Sequence, residues 1–439
     1  LVTIPVPKSE PLQFTDKQAQ VLDFFNRNNP YHLILEGAVR SGKTHINNLL
    51  FLQHVGSFPG PQKNFIITGR TIGSIERNVL SPLEEFTGRI IRLDNFNRFR
   101  LGEHIVNCFG ADNEMAYKAM TGMTSFGWYA NEITNQHPNT INEAFQRCSG
   151  KGTRIFWDTN PDHPYHMVKT EYIDQAGLRN AAGELTIAAF HFRLEDNEFL
   201  TPEYIENVKR TTPKGMWYDR RIKGLWVAAE GIIYESFTRE DHVCEPFEIP
   251  EGWTKVRGID FGTVHPFVML WGALDPDGRL YIYREYFKSN TLIKQHAKKI
   301  KELSGHIDAS GKDIDDPRER YLWTVSDHDR QERLEYEAHD IPTRPAQKEV
   351  LLGIDRVAQR LVEQVDGKPR IQIFNTCENL IRQMGTYSWR SYEDGKPYKE
   401  EPVKVDDDGP DVLRYIVMEL DNPTTPVIEP GFRGYTPRR

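Results

Sequence analysis

GAVRSGKT, residues 37–44, follows the apolar run 32–35 and precedes the apolar-periodic Ile46-Asn47-Asn48-Leu49-Leu50-Phe51. Strand, glycine-rich loop and helix in this order form the setting in which G-x-x-x-x-G-K-[ST] cradles phosphate. Gly37 and Gly42 allow the backbone to close on an anion. The N–H groups of Ala38, Val39, Arg40 and Ser41 then meet its oxygens, and the helix start adds a favourable dipole. Lys43 is placed to neutralise the β- and γ-phosphates, Thr44 to hold magnesium, and Arg40 to reach the phosphates from within the loop. The expected ligand is ATP with Mg2+, and the expected frame is α/β with a mostly parallel sheet.

Hydrolysis needs an acid at the end of a neighbouring strand. Phe126-Gly127-Trp128-Tyr129-Ala130-Asn131-Glu132 is an apolar run closing in one, which makes Glu132 the residue that orients and activates water. Asn131 stands where many P-loop proteins carry a magnesium-linked aspartate, and offers a hydrogen-bonding amide without charge. A further strand over 153–157 ends in Asp158-Thr159-Asn160-Pro161. A polar turn there senses the γ-phosphate, so Thr159 and Asn160 are the coupling residues. Arg147, ahead of that strand, is a candidate arginine finger beside Arg40.

With 439 residues the chain exceeds what one core usually organises, so two domains are expected. Hydrophobic residues at 38% and 23 Phe, 18 Tyr and 8 Trp argue against disorder as its default state. The net charge of −8 speaks mildly against nucleic acid. The balance is local, however: stretch 89–100 is basic, and clustered acids serve metals whatever the total. Cys108, Cys148, Cys244 and Cys377 stand far apart with no CxxC pair, so neither zinc nor disulfides are expected, in keeping with a reducing cytoplasm. There is no apolar run of about eighteen residues, so no membrane partner is expected.

Thr201-Pro202-Glu203 and Thr212-Pro213-Lys214 are helix starts with proline in the first turn, and Gly224-Leu225-Trp226 and Gly231-Ile232-Ile233-Tyr234 introduce a new strand region. The expected organisation is 1–195 for the nucleotide domain, 196–237 for a small helical linker, 238–421 for a second domain and 422–439 for a flexible tail. In that second domain Val256-Arg257-Gly258-Ile259-Asp260 is a strand, 267–274 and 279–287 continue around the turn Asp275-Pro276-Asp277-Gly278, and a helix lies near 291–303. This reads as the opening of a ribonuclease H-like mixed sheet.

A strand over 321–325 ends in Ser326-Asp327, and Asp411 starts an amphipathic helix behind Asp406-Asp407-Asp408-Gly409-Pro410. Asp260, Asp327 and Asp411 thus sit at three element ends. Two-metal phosphodiester cleavage asks acids to converge in this way, holding two divalent ions, Mg2+ or Mn2+, about 3.5–4 Å apart. Asp407, one helical turn before Asp411, shares its face if the helix starts early enough.

Phe14-Thr15-Asp16-Lys17-Gln18, the loop, WYANE, Arg147 and TNPDHPYH (159–166), in that order, resemble the ATPase half of tailed-bacteriophage large terminases. GIDFG (258–262), SDHDRQE (326–332) and DVLRYI (411–416) resemble their nuclease half. The resemblance implies that Gln18 sits by the adenine, that Arg147 acts in trans, that Asp260, Asp327 and Asp411 are the metal ligands and that Asp407 is an accessory acid. The chain departs from the family's pattern at Asn131, where an acid is common, and at Asp408, where histidine is frequent. The resemblance also implies ATP-driven translocation of double-stranded DNA into a procapsid and endonucleolytic cutting of concatemers in the host cytoplasm. The implied partners are the portal, a small terminase subunit and further copies of the chain in a ring. A DNA-repair helicase-nuclease and a nucleotide-gated scaffold docking on a capsid are the alternatives.

Overall fold

The computed structural model describes residues 12–60, 62–262, 266–308, 310–315, 319–391 and 398–421; the expected tail, 422–439, lies outside the described residues. The chain divides into two compact units. One takes in the chain up to Lys209 and again Gly215–Ala228; the other holds Arg210–Lys214 and the described chain from Ala229.

The first unit is built on β1 (His32–Gly37), β2 (Asn64–Gly69), β3 (Arg98–Leu101), β4 (His104–Gly110), β5 (Gly127–Ala130), β6 (Arg154–Thr159) and β7 (Ile187–Phe192), in the order β3-β4-β2-β5-β6-β1-β7. Every neighbouring pair is parallel except β3 with β4. Side chains alternate across a strand, and here both faces are covered, which is why the central strands read as unbroken apolar runs. Leu33, Leu35, Phe65, Ile67, Tyr129 and Phe156 pack on one face with Val21 and Phe25 of helix Asp16–Asn28 and Ile46, Leu50 and Phe51 of helix Lys43–Ser57. Ile34, Ile66, Trp128, Ile155 and Trp157 fill the other, against Ile141 and Ala144 of helix Pro138–Arg147. Parallel pairing brings the carboxyl ends of β1, β5 and β6 to a single edge.

The linker region departs from expectation in two places. Helix Pro202–Thr211 starts at its proline, but the second helix is Met216–Arg221, delayed by Gly215 at φ 76°. Over 224–234 no strand forms among the described residues; Ile232 makes a single bridge to Ser388. Gly224 instead turns at φ 70° against the P-loop backbone, where a Cβ would stand 2.7 Å from the Ala38 nitrogen. Trp226 is tied there by its Nε1–H to the Glu36 carboxylate at 3.1 Å.

The second unit has β8 (Val243–Cys244), β9 (Thr254–Asp260), β10 (Phe267–Leu274), β11 (Leu280–Lys288), β12 (Thr324–Ser326), β13 (Arg344–Pro345) and β14 (Ile371–Phe374), ordered β13-β12-β9-β10-β11-β14-β8. Only β10 runs against its neighbours among these strands, so the sheet is mixed, as its sequence implied. β9 and β12 are parallel, with Ile259 level with Ser326, which places Asp260 and Asp327 at one edge. Helix Asp408–Asp421 lies across β9, β10 and β12. Gly258 permits that approach: a Cβ on it would meet Val412 and Ile416 at 2.7 Å.

Candidate functional site

The P-loop follows β1 with Gly37, Arg40 and Gly42 at φ 131°, 59° and 88°, backbone angles at which glycine is free and arginine is strained. A cavity of about 580 Å³ opens beside it, lined by Val39 through His45, Asn78, Glu132, Asp158, Thr159, Asn160 and Asn197. The loop is braced from behind. Ser41 donates its hydroxyl to the Ala38 carbonyl at 2.8 Å, and Asn197 donates its amide to the Arg40 carbonyl at 2.7 Å. Lys43 is buried, with Nζ donating to the carbonyls of Gly37 and Ala38 at 3.1 and 2.6 Å and to Asn160 Oδ1 at 3.1 Å. Burial brings its pKa down to about 8, against the pull of Asp158, Glu36 and Glu132.

Glu132 ends the turn after β5 in the left-handed region, at φ 52° and ψ 57°. Its carboxyl is pushed up, first by burial and then by Asp158. Asn131 is held between two lining residues: its amide donates to Asp158 Oδ1 at 3.0 Å and its oxygen accepts from Asn78 at 3.1 Å. β6 runs two residues beyond its expected end, so Asp158 and Thr159 belong to the strand. Thr159 and Thr134 share a hydroxyl hydrogen bond of 2.7 Å. Asp162, just past the turn, pairs with Arg220 at 3.1 Å.

Two expected residues stand elsewhere. Gln18 is outside the cavity lining: its Oε1 accepts from Thr15 N–H at 3.1 Å in a capping box, and its Nε2 donates to the Gly42 carbonyl at 3.0 Å. It fastens the P-loop at Gly42. Arg147 closes its helix beside Ser125, at the amino end of β5 and so at the sheet edge opposite the cavity, with Glu143 at 3.3 Å.

The second cluster lies at the β9/β12 edge. Asp260 has its carboxyl pushed up to about 8, by burial first and then by Asp411, Asp327 and Asp408. The acids therefore act in one electrostatic field. Among the described residues, however, no three acid, histidine or cysteine side chains enclose a common point as a ready metal cage. Cations hold them instead. Lys404 bridges Asp407 at 2.8 Å and Asp411 at 3.2 Å, Arg414 takes the other Asp411 oxygen at 2.8 Å, and Lys348 pairs with Asp327 at 3.3 Å. The helix starts at Asp408, with Asp411 N–H donating to the Asp407 carbonyl, so both acids reach the same ammonium. Asp329, two residues past Asp327, caps helix Arg330–Glu337 by accepting from Glu332 N–H. The donor set is carboxylate oxygen throughout, with mutual repulsion that a divalent cation relieves, and it fits magnesium or manganese.

Sequence reasoning passed over Asp158, Asn78, Lys404 and Arg414. Asp158 had a signal, the acid inside the 153–159 strand; the other three depend on tertiary placement alone.

The profile of the family described as terminase large subunit, T4likevirus-type, N-terminal, matches residues 34–240. The chain is 24% identical over 262 residues to the terminase large subunit of Salmonella phage P22, covering 57% of this chain and 46% of that one. The structure of a large terminase from a thermophilic bacteriophage aligns at TM-score 0.74 and 26% identity, over 92% of this chain and 98% of that one. In sequence and fold the chain is similar to large terminases. It spans about half the length of the curated relatives it matches. The same thermophilic-phage large terminase in complex with ADP aligns at TM-score 0.70 and 26% identity, over 92% of this chain and 98% of that chain. Among the described residues, no helix is long and apolar enough to cross a membrane.

Proposed function

We propose that this chain hydrolyses ATP to drive double-stranded DNA into a procapsid and cuts concatemeric DNA at a second, metal-dependent site. One observation carries the reading: Lys43, Glu132, Asp158 and Asn160, from three strand ends, meet around one cavity behind a P-loop. The ADP complex of the thermophilic-phage relative supports a nucleotide there. Lys43 transfers its ammonium from backbone carbonyls to the β- and γ-phosphates, Arg40 adds a second positive charge, and the Ala38 to Ser41 backbone receives the oxygens. Thr44 would hold the magnesium that accompanies ATP. Glu132 orients the attacking water, and the γ-phosphate draws Lys43 away from Asn160 while its loss restores that hydrogen bond, a change that the Asp162–Arg220 pair passes to helix Met216–Arg221.

In the second unit Asp260, Asp327 and Asp411, with Asp407 beside them, would hold two divalent ions. Such ions supply an activated water and charge relief at the leaving oxygen. Lys404 keeps the acids paired until they are engaged. The proposed partners are DNA, the portal of the procapsid, a small terminase subunit and further copies of the chain, in the cytoplasm of the infected host. Arg147, away from its own cavity, is then the arginine offered to a neighbour in a ring.

DNA-stimulated ATP hydrolysis and plasmid cleavage, measured together in the wild type, Lys43→Ala and Asp260→Ala, test this. Lys43→Ala is expected to lose about 10²-fold or more in hydrolysis and keep cleavage; Asp260→Ala is expected to do the reverse. Full ATPase in Lys43→Ala, or magnesium- or manganese-dependent cutting by Asp260→Ala, overturns the assignment.

A further inference from the structure

The position before Glu132 carries no charge, yet a buried carboxylate stands next to it. β5 and β6 pair in parallel with Ala130 level with Trp157, so the next residues along, Asn131 and Asp158, come side by side. Asp158 is 1% exposed and is one of the residues lining the cavity, whereas Asn131 is not. Three donors fix it. Tyr129 OH donates to Oδ2 at 2.6 Å, and Asn131 Nδ2 and Glu132 N–H donate to Oδ1 at 3.0 and 2.9 Å.

Burying a carboxylate is costly unless it is hydrogen-bonded and faces positive charge. Asp158 has its donors, and Lys43 is the cation it feels. The hydrogen bond to Glu132 N–H also holds the one left-handed residue of this turn, and with it the direction of the Glu132 carboxyl. We infer that Asp158, from β6, replaces the strand-end aspartate that position 131 lacks, as the residue that positions Glu132 and faces the magnesium-linked water. This rests on the nucleotide-site reading of the P-loop cavity, and it assigns the charge of that site to a different strand.

The exchange of the two side chains tests it in the full chain. Asp158→Asn turns an amide toward three donors and removes the charge. It is expected to lower ATP hydrolysis by about 10²-fold and to weaken Mn2+ binding to the ATP complex, read by electron paramagnetic resonance, by about tenfold. ATP binding in EDTA should stay unchanged. The double variant Asn131→Asp with Asp158→Asn restores one carboxylate and one amide in swapped places, and should recover at least about tenfold of the hydrolysis and the Mn2+ affinity. Hydrolysis and Mn2+ binding by Asp158→Asn near wild-type level overturn the inference, as does a double variant no better than the single one while both melt like the wild type. Should Asp158→Asn melt early, Asp158→Glu decides: with charge kept it should retain Mn2+ affinity within about threefold, and a loss equal to that of the asparagine variant counts as refutation. Failure of the underlying reading looks different, since Lys43→Ala would then hydrolyse ATP normally.

Discussion

His32 opens β1 with its ring edge-on to Trp157, 4.2 Å between centroids, and burial drives its pKa down to about 3. His54 is brought down to about 4, burial being the larger cause, although the Phe126 carbonyl opposes it. The unfolded chain takes up these protons near pH 6.5, whereas the folded unit refuses them until about 3–4. Their contribution to stability is therefore whole above that unfolded value and is lost as pH falls through the window below it. Melts of the full chain from about pH 7.5 to about pH 5 should show the first unit's melting temperature falling, and His32→Phe, which suits the surrounding Phe145, Trp157 and Tyr172, should make the slope shallower. A slope indifferent to that change would assign the acid sensitivity elsewhere. At this scale the sequence was readable where a residue's job is local. Gly42 and Lys43 follow from the turn that the backbone must make. Asp158 escaped because its meaning comes from Tyr129 on another strand and from Asn131 just beyond that strand's end.

The element that carries the third acid of the second unit is held by shape. Helix Asp408–Asp421 is buried along nearly its whole length and seats Val412 and Ile416 over Gly258. Gly258→Ala puts a methyl group 2.7 Å from both side chains. The helix must move, at a cost of about 1–3 kcal/mol in stability. Displacement of Asp411 by as much as about 1 Å should lower Mn2+-dependent DNA cleavage by up to about 10²-fold and leave ATP hydrolysis intact; normal cleavage at a normal melting temperature would mean that the helix does not depend on this contact. Most elements were legible from period and punctuation, including the hairpin around Asp275-Pro276-Asp277-Gly278. The failures share a cause. Residues 224–234 look like strand by composition, but Trp226 and Gly224 are drawn to Glu36 and Ala38, and side-chain docking displaced ladder pairing. Trp389 and Pro402 make only an isolated bridge, since a proline has no N–H to continue it.

At the level of the molecule, each unit has its own sheet and its own cluster of charged side chains, so each should respond to its own ligand. A ligand that binds only the folded form raises stability by RT ln(1 + [L]/Kd), about 2.7 kcal/mol at a hundredfold excess over Kd. Calorimetry of the full chain is expected to resolve two transitions, with ADP raising one and Mn2+ the other. Lys43→Ala should abolish the first shift and Asp260→Ala the second; a single transition moved by both ligands would mean that the units unfold as one. The order of elements along the chain has a separate consequence for synthesis. Asp260 and Asp327 leave the ribosome well before helix Asp408–Asp421, and β9, β10 and β12 lack the helix that covers them until it emerges. The first unit, apart from its returning segment, is by then long translated and able to fold. A nascent chain can therefore complete the P-loop unit before the second sheet is covered, and one released early, short of Asp411, is left with an incomplete set of acids at the β9/β12 edge.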